Sequence, residues 1–338
     1  MGSKKQRSKR KNERGKNTQP MPKKTEAVSR KTGEHTSSVP LYTALFMLAG
    51  MAVLAFIFTV ILNTAVTDIY LKNHPELSGD NTALKAAVEA YINDNAIYNI
   101  VQRIVVNVSG ILAIMMLFGR LEKESFPSVG FSGDAKRRVN IGMGALFSFL
   151  GVLVAYNILA AIGYVKPTGA LVFNWVQLLW IADILVMCLF EEIFFRGYIG
   201  YKLSNYNMNY TIIISSVLFA LYKGLPSTLP STYITYIIMG VLLSYVSVKL
   251  KSVWFALSFR IVWTFTSGIL LSIYAEVVPG IVENSGIKES LLSGNKSGFE
   301  NGLIASAVLL ICFILAKRMI ENRNAPKQRR LHPDGTIR

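Results

Sequence analysis

Charged side chains interrupt three of the most apolar stretches of this 338-residue sequence. Glu191, Glu192 and Arg196 lie in the first stretch, Lys223 in the second and Arg260 in the third. A charged group inside a membrane-spanning helix is costly unless it is paired or faces water. The two carboxylates and three cations therefore predict one polar cavity inside a helix bundle.

The two adjacent glutamates are expected to have different partners, because neighbouring residues on a helix point about 100° apart. Glu192 precedes Arg196 by four residues, which is the spacing and order of a favourable ion pair, so we expect this pair to be structural. Glu191 is then left to face the cavity, where a carboxylate could act as a general base on water. Lys223 and Arg260 are the cations that could pair with it.

The composition indicates a membrane protein. Hydrophobic residues make up 51% of the chain and charged residues only 17%, and the charges cluster at the two ends. Such a chain is not a soluble enzyme, a secreted disulfide scaffold or a disordered protein. Eight mostly apolar runs are long enough to span a bilayer as helices: 41–62, 99–119, 141–165, 175–197, 208–226, 231–249, 253–273 and 302–320. We expect an all-α polytopic bundle of about eight transmembrane helices; six or seven with a re-entrant segment is the open alternative.

The distribution of Lys and Arg predicts that both termini are cytoplasmic. Residues 1–40 carry 12 Lys and Arg against 3 Asp and Glu, and the segment 120–140 and the tail after 316 are also basic. By contrast, the loops 63–98 and 274–301 carry more acidic than basic residues. An even number of spans places every basic segment on the cytoplasmic side.

The same features divide the chain into parts. The basic arm is expected to be disordered and to contact anionic lipid rather than nucleic acid, because no aromatic residue interleaves its charges. Within the first outer loop, apolar residues at helical spacing predict a short amphipathic helix: Leu84, Ala87, Val88 and Tyr91. We expect an arm over 1–40, two membrane helices with their outer loop over 41–124, a helical core over 125–275, an outer loop and last membrane helix over 276–320, and a basic tail over 321–338.

The charged residues also resemble the motifs of a known family. Glu191-Glu192-x-x-x-Arg196 at the end of a span looks like the first motif of the CAAX protease and bacteriocin-processing family (CPBP, also called Abi) of intramembrane proteases. Phe219-x-x-x-Lys223 stands where that family has Phe-x-x-x-His.

The resemblance continues on both sides of these motifs and covers roughly 125–275. Ser128 to Phe131 is similar to a short Leu-Gly-Leu element of the family, and Gly240 lies in a span that resembles its glycine-containing helix. In the last motif, Arg260 stands at the family's His and Thr264 at its Asn.

The resemblance implies a glutamate-activated water that hydrolyses a peptide bond within the membrane. Glu191 would be the base and the Glu192–Arg196 pair a brace, while the family's two His and its Asn bind water or stabilise the oxyanion. The resemblance also implies a multi-pass protein of a cell membrane, with a bacterial plasma membrane as the first expectation.

The chain departs from the family at its histidines. Its three histidines are His35, His74 and His332, and none of them lies in a predicted span. Cys188 and Cys312 alone cannot supply the three or four ligands that a zinc site needs. We therefore expect no metal and no other cofactor.

The replacements change the chemistry of the site. A neutral imidazole both donates and accepts a hydrogen bond, whereas Lys223 and Arg260 only donate. Either cation would weaken Glu191 as a base by pairing with it, although a cation can also stabilise an oxyanion. Contact between Lys223 and Glu191 requires that at least one span be short, tilted or broken.

These observations favour a degenerate family member that acts as a non-catalytic scaffold, regulator or immunity-type partner of another membrane or cell-envelope protein. The first alternative is an active endopeptidase with Glu191 as general base and Arg260 as oxyanion donor. The second alternative is a transporter or channel that uses the polar cavity. A distance of about 3–4 Å from Glu191 to the cations would indicate an ion pair, and a water-filled gap would favour catalysis.

Overall fold

Helices form most of the protein, and they follow the apolar runs of the sequence. A computed structural model describes residues 43–121, 130–131, 136–203, 206–225, 229–273, 280–288, 290–294 and 298–324. The predictions for the arm over 1–40 and for most of the tail therefore lie outside the described residues. The helices are α1 (Thr43–Asn73), α2 (Asn81–Asp94), α3 (Ala96–Leu121), α4 (Arg137–Ala161), α5 (Val176–Glu192), α6 (Gly200–Lys202), α7 (Met208–Gly224), α8 (Pro230–Leu250), α9 (Trp254–Thr264) and α10 (Leu303–Asn324).

Each of the eight predicted spans corresponds to one of these helices, which confirms the all-α polytopic bundle. Within the described residues, five helices are long and apolar enough to cross a membrane, and they fall in α1, α3, α4, α8 and α10. The remaining three, α5, α7 and α9, are shorter and carry the buried charges. The number of crossings and the side of the termini remain predictions.

Two of the short helices continue as wider π-helical turns. Helix α5 passes into the π-helix Ile193–Ile199 and then into α6, while α9 passes into the π-helix Phe265–Leu270. Each π segment begins at the residue that follows a motif residue, Glu192 in α5 and Thr264 in α9. The helical path from α5 thus extends to the end of α6, and π turns of this kind occur frequently at functional sites.

The predicted amphipathic helix of the first loop is confirmed as α2. The Asp80 side chain caps it by accepting hydrogen bonds from the backbone N–H groups of Thr82 and Ala83. Its apolar side buries Val88. Helix α1 is longer than predicted, since it continues through polar residues to Asn73.

Two strands were not predicted. Strands β1 (Val165–Leu171) and β2 (Val282–Ile287) form an antiparallel sheet that joins the segment after α4 to the segment after α9. The predicted third span ran to residue 165, but α4 ends at Ala161. Gly163, with a φ of +72°, follows at once, and a left-handed backbone of this kind terminates helices.

Candidate functional site

Glu191 lies at the centre of a group of buried charges. Its Oε1 atom accepts a hydrogen bond from Lys223 Nζ at 3.0 Å, and its Oε2 atom accepts from Arg260 Nη2 at 2.7 Å and Nε at 3.2 Å. The side chains of Glu191 and Arg260 are fully buried, whereas Lys223 is 16% exposed. Both carboxylate oxygens are therefore bound by a cation, and Lys223 is the most exposed of the three groups.

Arg260 has a second acidic partner, Glu300, which the sequence analysis did not identify. Glu300 is 1% exposed, and its Oε1 atom lies 3.6 Å from Arg260 Nη1. Tyr236 donates its hydroxyl hydrogen to Glu300 Oε2 at 2.8 Å, and Thr264 Oγ1 donates to Glu300 Oε1 at 3.4 Å. Arg260 Nη1 also donates to the sulfur of Met239 at 3.3 Å. Glu300 thus fixes the side of Arg260 that faces away from Glu191.

Glu191, Lys223, Arg260 and Glu300 form a group that we call the charge cluster. Its two negative and two positive charges balance. Compared with the family pattern, replacement of two neutral imidazoles by Lys223 and Arg260 adds two positive charges to a buried site. An unpaired buried charge is strongly destabilising, and the two carboxylates supply the compensating negative charges. Glu300 thus supplies the second negative charge beside the two buried cations.

The second glutamate makes the ion pair that its spacing predicts. Arg196 Nη1 donates to Glu192 Oε1 at 2.9 Å, and both side chains are fully buried. The Arg196 guanidinium also lies 4.2 Å from the centre of the Phe219 ring, a cation–π contact. Among the described residues, Arg196 Nε and Nη2 and Glu192 Oε2 have no hydrogen-bond partner. Glu192 and Glu191 therefore serve different cations, as predicted from the helix geometry.

Helix α7 brings Lys223 to Glu191 because it runs antiparallel to the path from α5 to α6. Thr211 Oγ1 donates to the carbonyl oxygen of Leu203 at 2.8 Å, and Ser215 Oγ donates to that of Phe195 at 2.9 Å. One turn further along α7, the Phe219 ring lies 5.3 Å from the Phe195 ring. The last turn of α7 then lies beside the end of α5. A short α7 of 17 residues and the π-helical extension of α5 provide the irregular span that the sequence analysis required.

Close helix packing positions the other two elements of the site. A Cβ atom on Gly240 of α8 would lie 2.8 Å from Ser216 Cα of α7, so only glycine permits this approach. A Cβ atom on Gly144 of α4 would lie 2.3 Å from the carbonyl oxygen of Phe255 in α9. Small residues at helix contacts are typical of membrane bundles. They hold α8 against α7 and α9 against α4, which sets the depth of Tyr236 and Arg260.

The loop before α4 holds the start of α9. The backbone N–H of Val253 donates to the carbonyl oxygen of Gly130 at 3.1 Å, and the rings of Phe131 and Trp254 meet edge to face at 5.4 Å. The Arg137 guanidinium lies 5.4 Å from the Trp254 ring. Gly130 and Phe131, which belong to the element predicted over Ser128 to Phe131, therefore help to position the start of α9. Residues 128 and 129 lie outside the described residues.

The structure brings together most, but not all, of the predicted site residues. Glu191, Lys223 and Arg260 meet, and Glu192 forms a separate pair with Arg196. Thr264 lies in the same region, but its contact is with Glu300 rather than with Glu191.

Arg103 of α3 forms an ion pair with Asp183 of α5. Its Nε atom lies 3.1 Å from Asp183 Oδ2, and the Asp183 side chain is 4% exposed. The pair joins α3 to α5, and Asp183 lies eight residues, or about two helical turns, before Glu191. Asp183 lies in an apolar run, and its charge is the signal that the sequence analysis overlooked.

One of the three histidines, His74, is within the described residues, and it lies in the first loop, away from this site. Its Nδ1 atom lies 3.1 Å from Glu76 Oε1. A backbone hydrogen bond and this contact lower the pKa of Glu76 from its ordinary value. In the described part of the chain, no group of three or more His, Cys, Asp or Glu residues could hold a metal ion.

The arrangement permits ion pairing more readily than base catalysis. A general base needs a lone pair directed at water. Both oxygens of Glu191 accept hydrogen bonds from cations, and this pairing stabilises the charged carboxylate and makes it a weaker base. Displacement of Lys223, the partly exposed member, would leave Oε1 without this cation while Arg260 kept Oε2. Base catalysis is therefore more favourable when Lys223 moves away from Glu191.

A comparison with protein families identifies one match. Residues 173–266 match a family model described as type II CAAX prenyl endopeptidase Rce1-like. The matched segment contains five members of the two charged groups: Glu191, Glu192, Arg196, Lys223 and Arg260. Glu300 lies beyond it. No curated protein and no solved structure matches the chain.

Proposed function

We propose that the chain, which is similar to the Rce1-like family over residues 173–266, is a non-catalytic membrane scaffold or regulator. Its partner is another membrane or cell-envelope protein. In this proposal the motif glutamates are retained, while Lys223, Arg260 and Thr264 stand at the family's two His and its Asn. The bundle then serves as a rigid surface on which the partner docks.

The observation that carries this proposal is the pairing of both Glu191 oxygens. Lys223 and Arg260 bind them at 3.0 and 2.7 Å. Each contact stabilises the ionised carboxylate, so Glu191 is a weaker base while Lys223 and Arg260 are bound to it. Displacement of Lys223 would restore the basicity of Glu191 but would break an ion pair inside a low-dielectric bundle, and that cost would oppose any hydrolysis.

An active endopeptidase is the alternative, and the partial exposure of Lys223 is the observation that favours it. If Lys223 moved aside, Glu191 could take a proton from water while the resulting hydroxide bonded to the carbon of the scissile carbonyl. Arg260 would stabilise the oxyanion. Collapse of this intermediate would break the C–N bond, and the proton held by Glu191 would pass to the leaving amine.

A cleavage assay distinguishes the two functions. The full chain, reconstituted in lipid nanodiscs, is incubated with a prenylated peptide that ends in the Cys-aliphatic-aliphatic-X pattern, and products are followed by mass spectrometry. We expect no cleavage by the wild-type chain. Cleavage by wild-type that is lost in Glu191→Gln and kept in Glu321→Gln would overturn the scaffold. Glu321 is a suitable control because it is 56% exposed and pairs only with Lys317 at 4.0 Å.

A charge-balanced variant tests the scaffold in its native membrane. The double substitution Glu191→Gln and Lys223→Met removes one acid and one cation together, which is much less destabilising than loss of one partner alone. If the function is docking, the variant should recover the same uncleaved partner as wild-type after cross-linking. Recovery of a shortened partner by wild-type, and of the intact partner by the variant, would instead indicate proteolysis.

A further inference from the structure

A cavity of about 460 Å³ lies where α6 leads into α7 and α8 leads into α9. Its size is within the range of small-ligand pockets. Its polar wall includes Arg196, Tyr201, Tyr206, Ser247, Lys251 and Ser252. Arg196 is the cation of the Glu192–Arg196 pair, whereas none of the four residues of the charge cluster lines the cavity.

Two serines in this wall have unused hydroxyl groups. Ser247 is 7% exposed and Ser252 is 2% exposed, and neither Oγ atom has a hydrogen-bond partner among the described residues. A buried hydroxyl is normally hydrogen-bonded, because its removal from water is otherwise unfavourable. Two unpartnered hydroxyls on one cavity indicate a polar ligand that would complete them.

The electrostatics of the wall favour an anion. Lys251 is exposed at the cavity and adopts the left-handed conformation, with φ 50° and ψ 41°. Glycine is usual in this conformation at a helix end, and here the position carries a cation, which also offsets the negative end of the α8 dipole. Ser252 and Val253 directly precede α9, which puts the positive end of that helix dipole at the cavity. None of the described residues that line the cavity is acidic.

The cavity also has an apolar side and stays open at a glycine. Met208, Val248 and Val253 lie beside the polar residues, as an amphiphilic ligand requires. A Cβ atom on Gly200, which lines the cavity, would meet no atom within 4 Å. A larger side chain at Gly200 would therefore fill the cavity without displacing its walls.

We infer that this cavity binds a phosphate group, supplied by an anionic phospholipid headgroup or by a soluble phosphate. Lys251 and the end of α9 neutralise the charge, and the two serine hydroxyls donate to the phosphate oxygens. The exposed Arg137 and Arg138 at the start of α4 make this end of the bundle basic and attract anionic lipid to it. The site does not depend on whether Glu191 is catalytic.

Native mass spectrometry of the full chain in detergent tests the inference. The probes are phosphatidylglycerol and phosphatidylcholine, and inorganic phosphate is added separately in a thermal unfolding assay. The test variants are Gly200→Leu and Lys251→Met. Their controls are Gly142→Leu, a helical glycine that also faces open space, and Lys249→Met, an exposed lysine that does not line the cavity.

We expect wild-type and both controls to retain a phosphatidylglycerol adduct that both test variants lose, with no comparable phosphatidylcholine adduct. Stabilisation of wild-type by inorganic phosphate, lost in the same two variants, would assign the site to a soluble phosphate. Adducts kept by both test variants, or equal binding of the two lipids, would overturn the inference. Lys251→Met alone preserves the test if Gly200→Leu fails to fold.

Discussion

At the scale of residues, the two cations Lys223 and Arg260 determine what Glu191 can do. With imidazoles at positions 223 and 260, one buried glutamate could remain poised between neutral groups. With Lys223 and Arg260 there, the same glutamate becomes an ion-pair partner, and a further carboxylate is needed to balance the charge. Glu300 meets that need through its contact with Arg260 at 3.6 Å. The two glutamates and the two cations therefore form one interdependent group.

Glu300→Gln is expected to destabilise the fold strongly. The amide keeps the shape but leaves Arg260 with one acidic partner instead of two and the cluster with an excess positive charge. Loss of one partner from a buried ion pair costs roughly 3–5 kcal/mol. The measurement is the thermal unfolding midpoint of the purified chain in one detergent. Glu321→Gln, which breaks an exposed pair worth at most about 1 kcal/mol, is the control; similar midpoints for the two variants would show that Glu300 does not carry charge compensation.

Spacing within one helix predicted the contacts made by neighbouring residues, and charge in apolar runs predicted which helices would converge. The Glu192–Arg196 pair follows from a four-residue spacing, and the meeting of Glu191 with Lys223 and Arg260 follows from the cost of unpaired charge. Glu300 could not be found in this way. It lies in a segment that reads as an outer loop, and no local pattern shows that this loop folds back to Tyr236.

At the scale of elements, the site depends on how closely the helices approach. Gly240 allows α8 to contact α7, and Ser244 Oγ donates to Ser215 Oγ at 3.2 Å across the same interface. The sequence shows apolar runs and glycines, so the helices and their order could be predicted. The π-helical turns after Glu192 and Thr264 and the β1–β2 sheet depend on contacts between distant segments, which periodicity does not reveal.

Gly240→Ala should therefore disturb the site from a distance. The added methyl group would lie 2.8 Å from the Ser216 backbone, and overpacking of this kind costs about 1–3 kcal/mol. The matched control is Gly142→Ala, where the methyl group meets no atom and removal of a helical glycine is neutral or stabilising by roughly 0.5–1 kcal/mol. Thermal unfolding of the two variants measures the difference. A Gly240→Ala protein as stable as Gly142→Ala would mean that α7 and α8 are not held at this distance.

At the scale of the whole molecule, two long-range contacts constrain how the chain crosses the membrane. Pairing of β1 with β2 requires that the segments after α4 and after α9 lie on the same side. The hydrogen bond from Val253 to Gly130 requires the same of the segments before α4 and before α9. Along the chain, α5, α7, α8 and α9 lie between β1 and β2, and α4, α5, α7 and α8 lie between Gly130 and Val253. Each contact is possible if the helices between its two partners cross the membrane an even number of times. The charge distribution predicts an even number as well.

Cysteine labelling tests this topology. The native Cys188 and Cys312 are buried, so we expect neither of them to react with the label. Glu89→Cys in α2 and Glu283→Cys in β2 place exposed thiols in the two acidic outer segments. Both should react with a membrane-impermeant maleimide in intact cells, whereas Lys136→Cys, next to α4, should react only after permeabilisation. Protection of Glu283→Cys alone would require an odd number of crossings between α2 and β2. That result would contradict the charge distribution. It would also contradict the sheet if a cysteine in β1 remained reactive in the same cells, because β1 and β2 cannot pair across a bilayer.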